Sequence, residues 1–273
     1  MSVLKRQLAK QFPNLAAAYQ TTRLRREFRK YPAIKTPMGF YFQGHGAMQR
    51  GEFEADETKL IQQMCNQIDV YVDVGANVGY FVCIARALGR HVIAVEPSPT
   101  NLEYLYANLR LNGWNDVEVW PLGLGEGPGM ADLYGGGTGA SLLKHWAGDS
   151  GLLAHTISIN TLDNLLGDRF VGKRVMIKID VEGSEFELLR GASRTLTMTP
   201  APCWLVEICL TEHHAEGWNN NFLRTYEEFY SRGYVAHTID STRKSITRTD
   251  IERWSATRKR DFGSANCIFS KPG

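Results

Sequence analysis

The sequence predicts an α/β protein, a mostly parallel sheet with helices on both faces. Three observations carry this. From residue 70 onward short apolar runs alternate with amphipathic runs of roughly ten to fifteen residues, the pattern of strands joined by crossover helices. Residues that start and stop helices, Ser98-Pro99 at one end and Gly89, Gly113 and Gly233 at others, fall at the joints. Between the last two apolar runs no strong helical period is found, which predicts an antiparallel final pair.

Taken in order, the chain opens with Lys5, Arg6, Lys10, Arg23, Arg25, Arg26, Arg29 and Lys30 against the single acid Glu27. The plain interpretation is a solvated helical extension. The sharper one is a basic surface for anionic lipid, an acidic glycan or a partner. "MGFYFQGHG" (38–46) has the composition of a short strand or hairpin, so residues 1–50 are set apart from a main domain spanning 51–273. "EADETKLIQQMCNQI" (54–68) spaces Leu60, Ile61, Met64, Cys65 and Ile68 as a helix face. Strands are then predicted at 70–74, 91–97, 116–125, 174–182, 203–209, 234–240 and 265–271. Helices are predicted at 79–88, 98–113, 184–192 and 220–233. The one interruption, 135–166, starts glycine-rich. It reads as a surface hairpin or as a mobile loop over a ligand cleft.

Composition narrows the function classes. The 273 residues carry 31 Lys and Arg against 29 Asp and Glu, a net charge of +2, which does not suit a dedicated nucleic-acid binder. No apolar run reaches the roughly 18 residues of a membrane span. The N-terminal stretch lacks the apolar centre of a secretory signal. The five cysteines are scattered without metal-ligand spacing, as in a reduced cytoplasmic protein.

The stretch "DVYVDVGANVGYF" (69–81) bears the chemistry. Asp73 stands near the end of a strand, and Gly75 to Gly79 form the turn into the next helix. A pyrophosphate turn would read G-x-G-x-x-G, whereas this one reads G-A-N-V-G with an acid two residues before it. That acid repels phosphate and attracts an ammonium. Glu96 ends the following strand, where a carboxylate can accept both ribose hydroxyls. An amine at one end and a ribose at the other, with no phosphate between, describes S-adenosylmethionine. A nucleotide-dependent oxidoreductase is the competing enzyme class, and the missing glycine pattern argues against it.

"VDVGANVGYF", "VIAVEPSP", "LKHWAG…ISINTLDNLL" and above all "IKIDVEGSEFELLRGA" resemble the FkbM family of class I S-adenosylmethionine-dependent methyltransferases. The resemblance covers residues 51–271 and includes "RGEFEADET". It implies a Rossmann-like fold with a seven-stranded, mostly parallel sheet and an antiparallel last strand. It also implies methylation of a hydroxyl on a sugar, glycolipid or natural product. N-methylation of a small molecule or protein, and a catalytically inactive cofactor-binding relative, are the alternatives. The Asn/Asp-Pro-Pro-aromatic turn of DNA amino-methylating enzymes is absent, the corresponding residues being Asp180-Val181-Glu182-Gly183.

By the resemblance, Asp73, Gly75, Ala76, Asn77 and Gly79 hold the methionine end of the cofactor, with Asp180, and Glu96-Pro97 hold the ribose. Backbone around Leu122–Gly123 holds the adenine. Lys178 sits mid-strand in "VMIKID", where a lone ammonium is costly to bury, so it is expected to pair with Asp73, Asp180, Glu182 or Glu207. Asp180 and Glu182, with Lys178 and Glu207, are the candidate catalytic groups. His213 is a further candidate base, with His214 and His45 as weaker ones. A magnesium site is conceivable from Asp180, Glu207 and a histidine, but no spacing requires it and no metal is expected.

Overall fold

The structure, a computed structural model, describes residues 22, 30–149, 151 and 153–272. The basic extension of residues 1–29 lies, Thr22 aside, outside the described residues. A small hairpin comes first, β1 (Ile34–Lys35) against β2 (Tyr41–Phe42). Two helices follow, α1 (Gly46–Arg50) and α2 (Ala55–Cys65). The alternating region then runs β3 (Val70–Val74), α3 (Tyr80–Ala87), β4 (His91–Val95), α4 (Pro99–Leu111) and β5 (Glu118–Trp120). After it come β6 (Gly123–Leu124), β7 (Gly129–Tyr134), β8 (Ala154–Asn160) and α5 (Leu162–Leu166). The second half comprises β9 (Val175–Ile179), α6 (Glu185–Arg190), β10 (Cys203–Glu207) and α7 (Phe222–Tyr230). It ends with β11 (Val235–Thr238), β12 (Ser245–Ile246), α8 (Arg248–Thr257) and β13 (Asn266–Ser270).

The main sheet has the order β12-β11-β13-β10-β9-β3-β4-β5. The strands from β10 to β5 are parallel, and β13 runs antiparallel to both its neighbours. The α/β class and the reversed last strand are as expected. The strand count is not: eight strands are paired among the described residues rather than seven, because β12 adds to the edge at β11. The quiet stretch between β11 and β13 also holds a helix, α8. Its apolar face is thin, only Ile251 and Trp254 being buried, and its real signal is the Thr247–Asp250 capping box.

The strand expected over 116–125 breaks at Pro121, which has no N–H to give the ladder. Beyond the break, β6 leaves the main sheet and joins β8 and β7 in a separate three-stranded sheet. Much of the expected 135–166 loop is thus the strand β8 and helix α5.

Alternation along the strands divides the core between two faces. Val70, Val72, Val74, Ile177 and Ile179 pack with α5, α6, α7 and α8. Tyr71, Ala94, Met176 and Leu205 pack with α2, α3 and α4. Asp73 and Lys178 are register partners on the second face, directly across the β3–β9 pair. The chain builds outward from β3 through β4 to β5 and, in the other direction, from β9 to β10. The order therefore reverses between β3 and β9, and a ligand crevice opens beyond their carboxyl ends.

Candidate active site

At that reversal the two strand ends touch. The Asp180 N–H donates to the Val74 carbonyl (3.0 Å), and Gly75 lies so close that a Cβ would stand 1.8 Å from the Asp180 carbonyl oxygen, at φ +83°. Only glycine satisfies both conditions. The Val95 carbonyl accepts from the N–H groups of Gly75 (2.9 Å) and Ala76 (3.0 Å), which turns the chain into α3.

A cavity of about 310 Å³ opens above these strand ends. Gly75, Ala76, Asn77, Glu96, Pro97, Leu122 and Gly123 border it on one side, and Lys178, Asp180 and Glu182 on the other. Glu54 and Asn101, which the sequence did not assign to the site, border the same cavity, and so do Gly137, Thr138, Ala140 and Leu142 of the insert that was expected either as a surface hairpin or as a loop over a ligand cleft. Glu54 was legible only as part of the "RGEFEADET" resemblance.

Glu96 organises one end. Its Oε2 accepts from the Asn77 N–H (2.7 Å), and its Oε1 from the Ser98 N–H (2.8 Å) and Asn101 Nδ2 (3.1 Å). Burial nevertheless pushes Glu96 up to about 7, the three donors pulling the other way. The Asn77 N–H at the entry to α3 is the group a phosphate would seek, and Glu96 already occupies it. Buried Oδ1 atoms of Asn77 and Asn101 accept no hydrogen bond from the described residues.

The other end is a cluster of carboxyl groups around one ammonium. Lys178, 2% exposed, places Nζ 2.8 Å from Asp180 Oδ2 and 5.1 Å from the centre of the Phe81 ring. Burial opposes its charge, but Asp180, Asp73 and Glu54 outweigh burial and raise Lys178 above the ordinary lysine range. Burial likewise opposes the Asp180 charge. Lys178 and a hydrogen bond from the Glu207 carboxyl overcome it and hold Asp180 low. Burial, with Lys178 opposing, pushes Asp73 up to about 6. Burial pushes Glu54 up to about 7. Burial and the Asp180 charge bring Glu182 to about 7, although the Trp146 indole N–H donates to its Oε2 at 2.5 Å.

Six expected site residues do not border the cavity: the weaker candidates His45 and His214, and Asp73, Gly79, Glu207 and His213. Asp73 is 1% exposed beneath the turn, with both carboxylate oxygens unpartnered among the described residues, so it acts on the cleft through its field on Lys178. Gly79 begins α3 and backs onto Leu105. Burial, then Asp180, Glu182 and Glu185, push Glu207 up to about 9, which makes it a proton donor to Asp180 rather than a base at neutral pH. His213 is exposed; its carbonyl accepts from Ala147 and its ring lies 5.7 Å from Trp146. No group of three or more metal-binding side chains is found among the described residues.

The Methyltransferase FkbM domain matches residues 73–236. The chain belongs to the FkbM methyltransferase family. A relative, the hexuronic acid methyltransferase AglP of Haloferax volcanii, is 31% identical over 145 residues. The match covers 52% of this chain and 58% of AglP, so it spans little more than half of that protein. Among solved structures, cofactor-bound Rv0187 from MTB is similar at 13% identity and a TM-score of 0.43, covering 97% of this chain and 94% of that one. The precorrin-6y C5,15-methyltransferase of Geobacter metallireducens GS-15 gives 13% identity, a TM-score of 0.41 and coverage of 85% and 94%.

The cleft of this FkbM-family chain fits S-adenosylmethionine on its own chemistry. Glu54, Asp180 and Glu182 offer a carboxylate lining for a sulfonium and an ammonium. Glu96 and the unpartnered amide oxygens of Asn77 and Asn101 offer acceptors for ribose hydroxyls. No helix of the described residues is long and apolar enough to cross a membrane.

Proposed function

We propose that the protein transfers a methyl group from S-adenosylmethionine to a hydroxyl of a sugar, an acidic sugar being the first class to examine. One observation supports this above the rest: the cavity joins a ribose-type carboxylate, Glu96, to a carboxylate-rich end that suits a cation. Membership of the FkbM family and the likeness to a hexuronic acid methyltransferase agree with it.

When bound, the cofactor supplies an electrophilic methyl group on a sulfonium. Glu96, Asn77 and Asn101 would hold the ribose, and backbone at Leu122–Gly123 would border the base. Asp180 is kept ionised by Lys178, so it steadies positive charge and is a poor proton acceptor. Glu182 is the better base: it borders the cavity, and its shift to about 7 matches the neutral range in which a general base works best. It would take the proton of the acceptor hydroxyl, whose oxygen would gain the methyl group as the bond from that methyl to sulfur breaks, leaving S-adenosylhomocysteine. Alignment and exclusion of water do much of the rest.

Incubation of the purified protein with isotopically labelled S-adenosylmethionine and uronic-acid glycosides should give a product heavier by one labelled methyl, read by mass spectrometry. Failure to bind S-adenosylhomocysteine in calorimetry would reject the proposal. Binding without transfer to any sugar would restrict it to the cofactor.

A further inference from the structure

A second cavity of about 240 Å³ adjoins the first across a shared wall. Glu182 and Leu142 border the first cavity; their chain neighbours Gly183 and Leu143 border the second. Trp146, 1% exposed, completes the wall. Its indole N–H donates to Glu182 Oε2, and its ring stands edge-on to His214 at 4.7 Å in the second cavity. Ser141 Oγ ties the same segment to the Glu182 carbonyl at 2.6 Å. A Cβ on Gly183, at φ +103°, would lie 2.5 Å from the Trp146 ring, so glycine is what lets the indole seat against Glu182.

The lining of the second cavity differs in kind from that of the first. Trp218 provides an aromatic surface, and Asn220 and Asn221 provide amides that are already oriented. Asn220 Nδ2 donates to Glu216 and Asn221 Nδ2 to Glu187, each at 3.0 Å. Beside them, the buried Nε2 of His214 has no hydrogen-bond partner among the described residues. Donors, acceptors and an indole around one small space suit a polyhydroxylated ring. Glu187 and Glu216 disfavour a doubly charged phosphate, and Lys144 on the same lining is the cation that a uronate carboxylate would need. The first cavity, at about 310 Å³, stands near the small end of the roughly 300–1,000 Å³ range of ligand sites, which leaves room for one cofactor-sized molecule rather than two.

We propose that the second cavity binds a sugar residue of the acceptor, on the far side of Trp146 from Glu182. This rests on the methyl-transfer reading above and adds where the acceptor sits. Trp146 then positions the base with its N–H, while Trp218, Asn220 and Glu187 set which sugar fits.

The test uses the protein saturated with S-adenosylhomocysteine and titrated separately with methyl glucuronide and methyl glucoside. The indole ¹H–¹⁵N resonances of Trp146 and Trp218 report binding. Both indoles should shift with at least one glycoside. Asn220→Ala, at an exposed side chain, should weaken that glycoside roughly fivefold while S-adenosylhomocysteine affinity stays within about twofold. Trp218→Phe should weaken it as well. Indoles that do not respond to either glycoside, glycoside affinity untouched by Asn220→Ala, or displacement of the glycoside by S-adenosylhomocysteine would each overturn the proposal. Glycoside shifts that persist in a protein unable to bind S-adenosylhomocysteine would uphold the second cavity and reject the cofactor reading instead.

Discussion

Replacing Glu96 with glutamine removes one charge and almost no volume, and the structure says what else it does. The two carboxylate oxygens accept from three donors, the Asn77 N–H, the Ser98 N–H and Asn101 Nδ2. An amide has one oxygen, so whichever way it turns its NH₂ faces a backbone N–H. That buried N–H loses its acceptor at a cost of about 1–3 kcal/mol, borne by free and liganded protein alike. Affinity responds to a different loss. Ribose hydroxyls donating to a carboxylate contribute about 1.5–3 kcal/mol each, against about 0.5–1.5 for a neutral acceptor, so Glu96→Gln should weaken S-adenosylhomocysteine by roughly ten- to a hundredfold. The pH dependence sharpens this. Burial raises Glu96 to about 7, so the free protein holds a proton there below neutrality, which ribose binding must expel. Wild-type affinity should therefore rise between pH 6 and pH 8 more steeply than the variant's, in which Glu54 and Glu182 still titrate over that range but Glu96 does not. Calorimetry at both pH values measures it. A variant within about twofold of wild type at pH 8, or a ratio indifferent to pH, would refute the assignment of Glu96 to the ribose.

Glu182→Gln should lower kcat by roughly 10²–10⁴, far more than it weakens S-adenosylhomocysteine, for which it removes one carboxylate of several; the wild-type rate should climb as pH passes about 7, where Glu182 ionises. Loss of less than tenfold in a methyl-transfer assay would put the base elsewhere. Lys178→Met strands Asp180 and Asp73 without their ammonium and should cost about 3–5 kcal/mol, read as a lowered thermal midpoint; an unchanged midpoint would show that the Lys178–Asp180 pair has no such role. Asp73, Glu96, Glu182 and Glu207, raised to about 6, 7, 7 and 9, bind protons more tightly folded than unfolded. Their contribution is fully present below the unfolded carboxyl range and is lost as pH rises through those values, so the ligand-free melting temperature should fall from pH 5 toward pH 9. Asp180, held low, acts oppositely and only in acid. A melting temperature that climbs over the same range would contradict the buried cluster.

The parallel core was legible because burial on two faces leaves a strong mark on composition. "VYVDV" and "VMIKI" are nearly continuous apolar runs, and all ten residues are buried. What went unseen has weaker marks. Helix α8 buries two side chains, so its period was lost among charged residues, and β12 is two residues long. β6 left the main sheet because Pro121 cannot extend the ladder, a local fact whose consequence is a change of partner far along the chain. Pairing between β7 and β8 depends on contacts across a glycine-rich insert, and no property of either strand alone specifies them.

The site divides along the same line. Asp73, the glycine turn and Glu96 could be found because each lies at a strand end, a position the α/β pattern singles out. Their roles could not be ranked, because role depends on which charges share a pocket. Strand alternation put Lys178 and Asp180 on one face, but not that Glu54, more than a hundred residues earlier, would join them. Glu207, at the end of β10, was a candidate catalytic group and a possible partner of Lys178. Burial and three nearby carboxyl groups raise it instead, while Lys178, with Glu207 adding less, keeps Asp180 charged. Trp146 is the clearest case: its hydrogen bond to Glu182 crosses 36 residues and depends on the missing side chain at Gly183. A larger residue at 183 would push the indole away from Glu182. That carboxylate would then lose both its orienting donor and the wall between the two cavities, so one glycine fixes the base and the partition beside it.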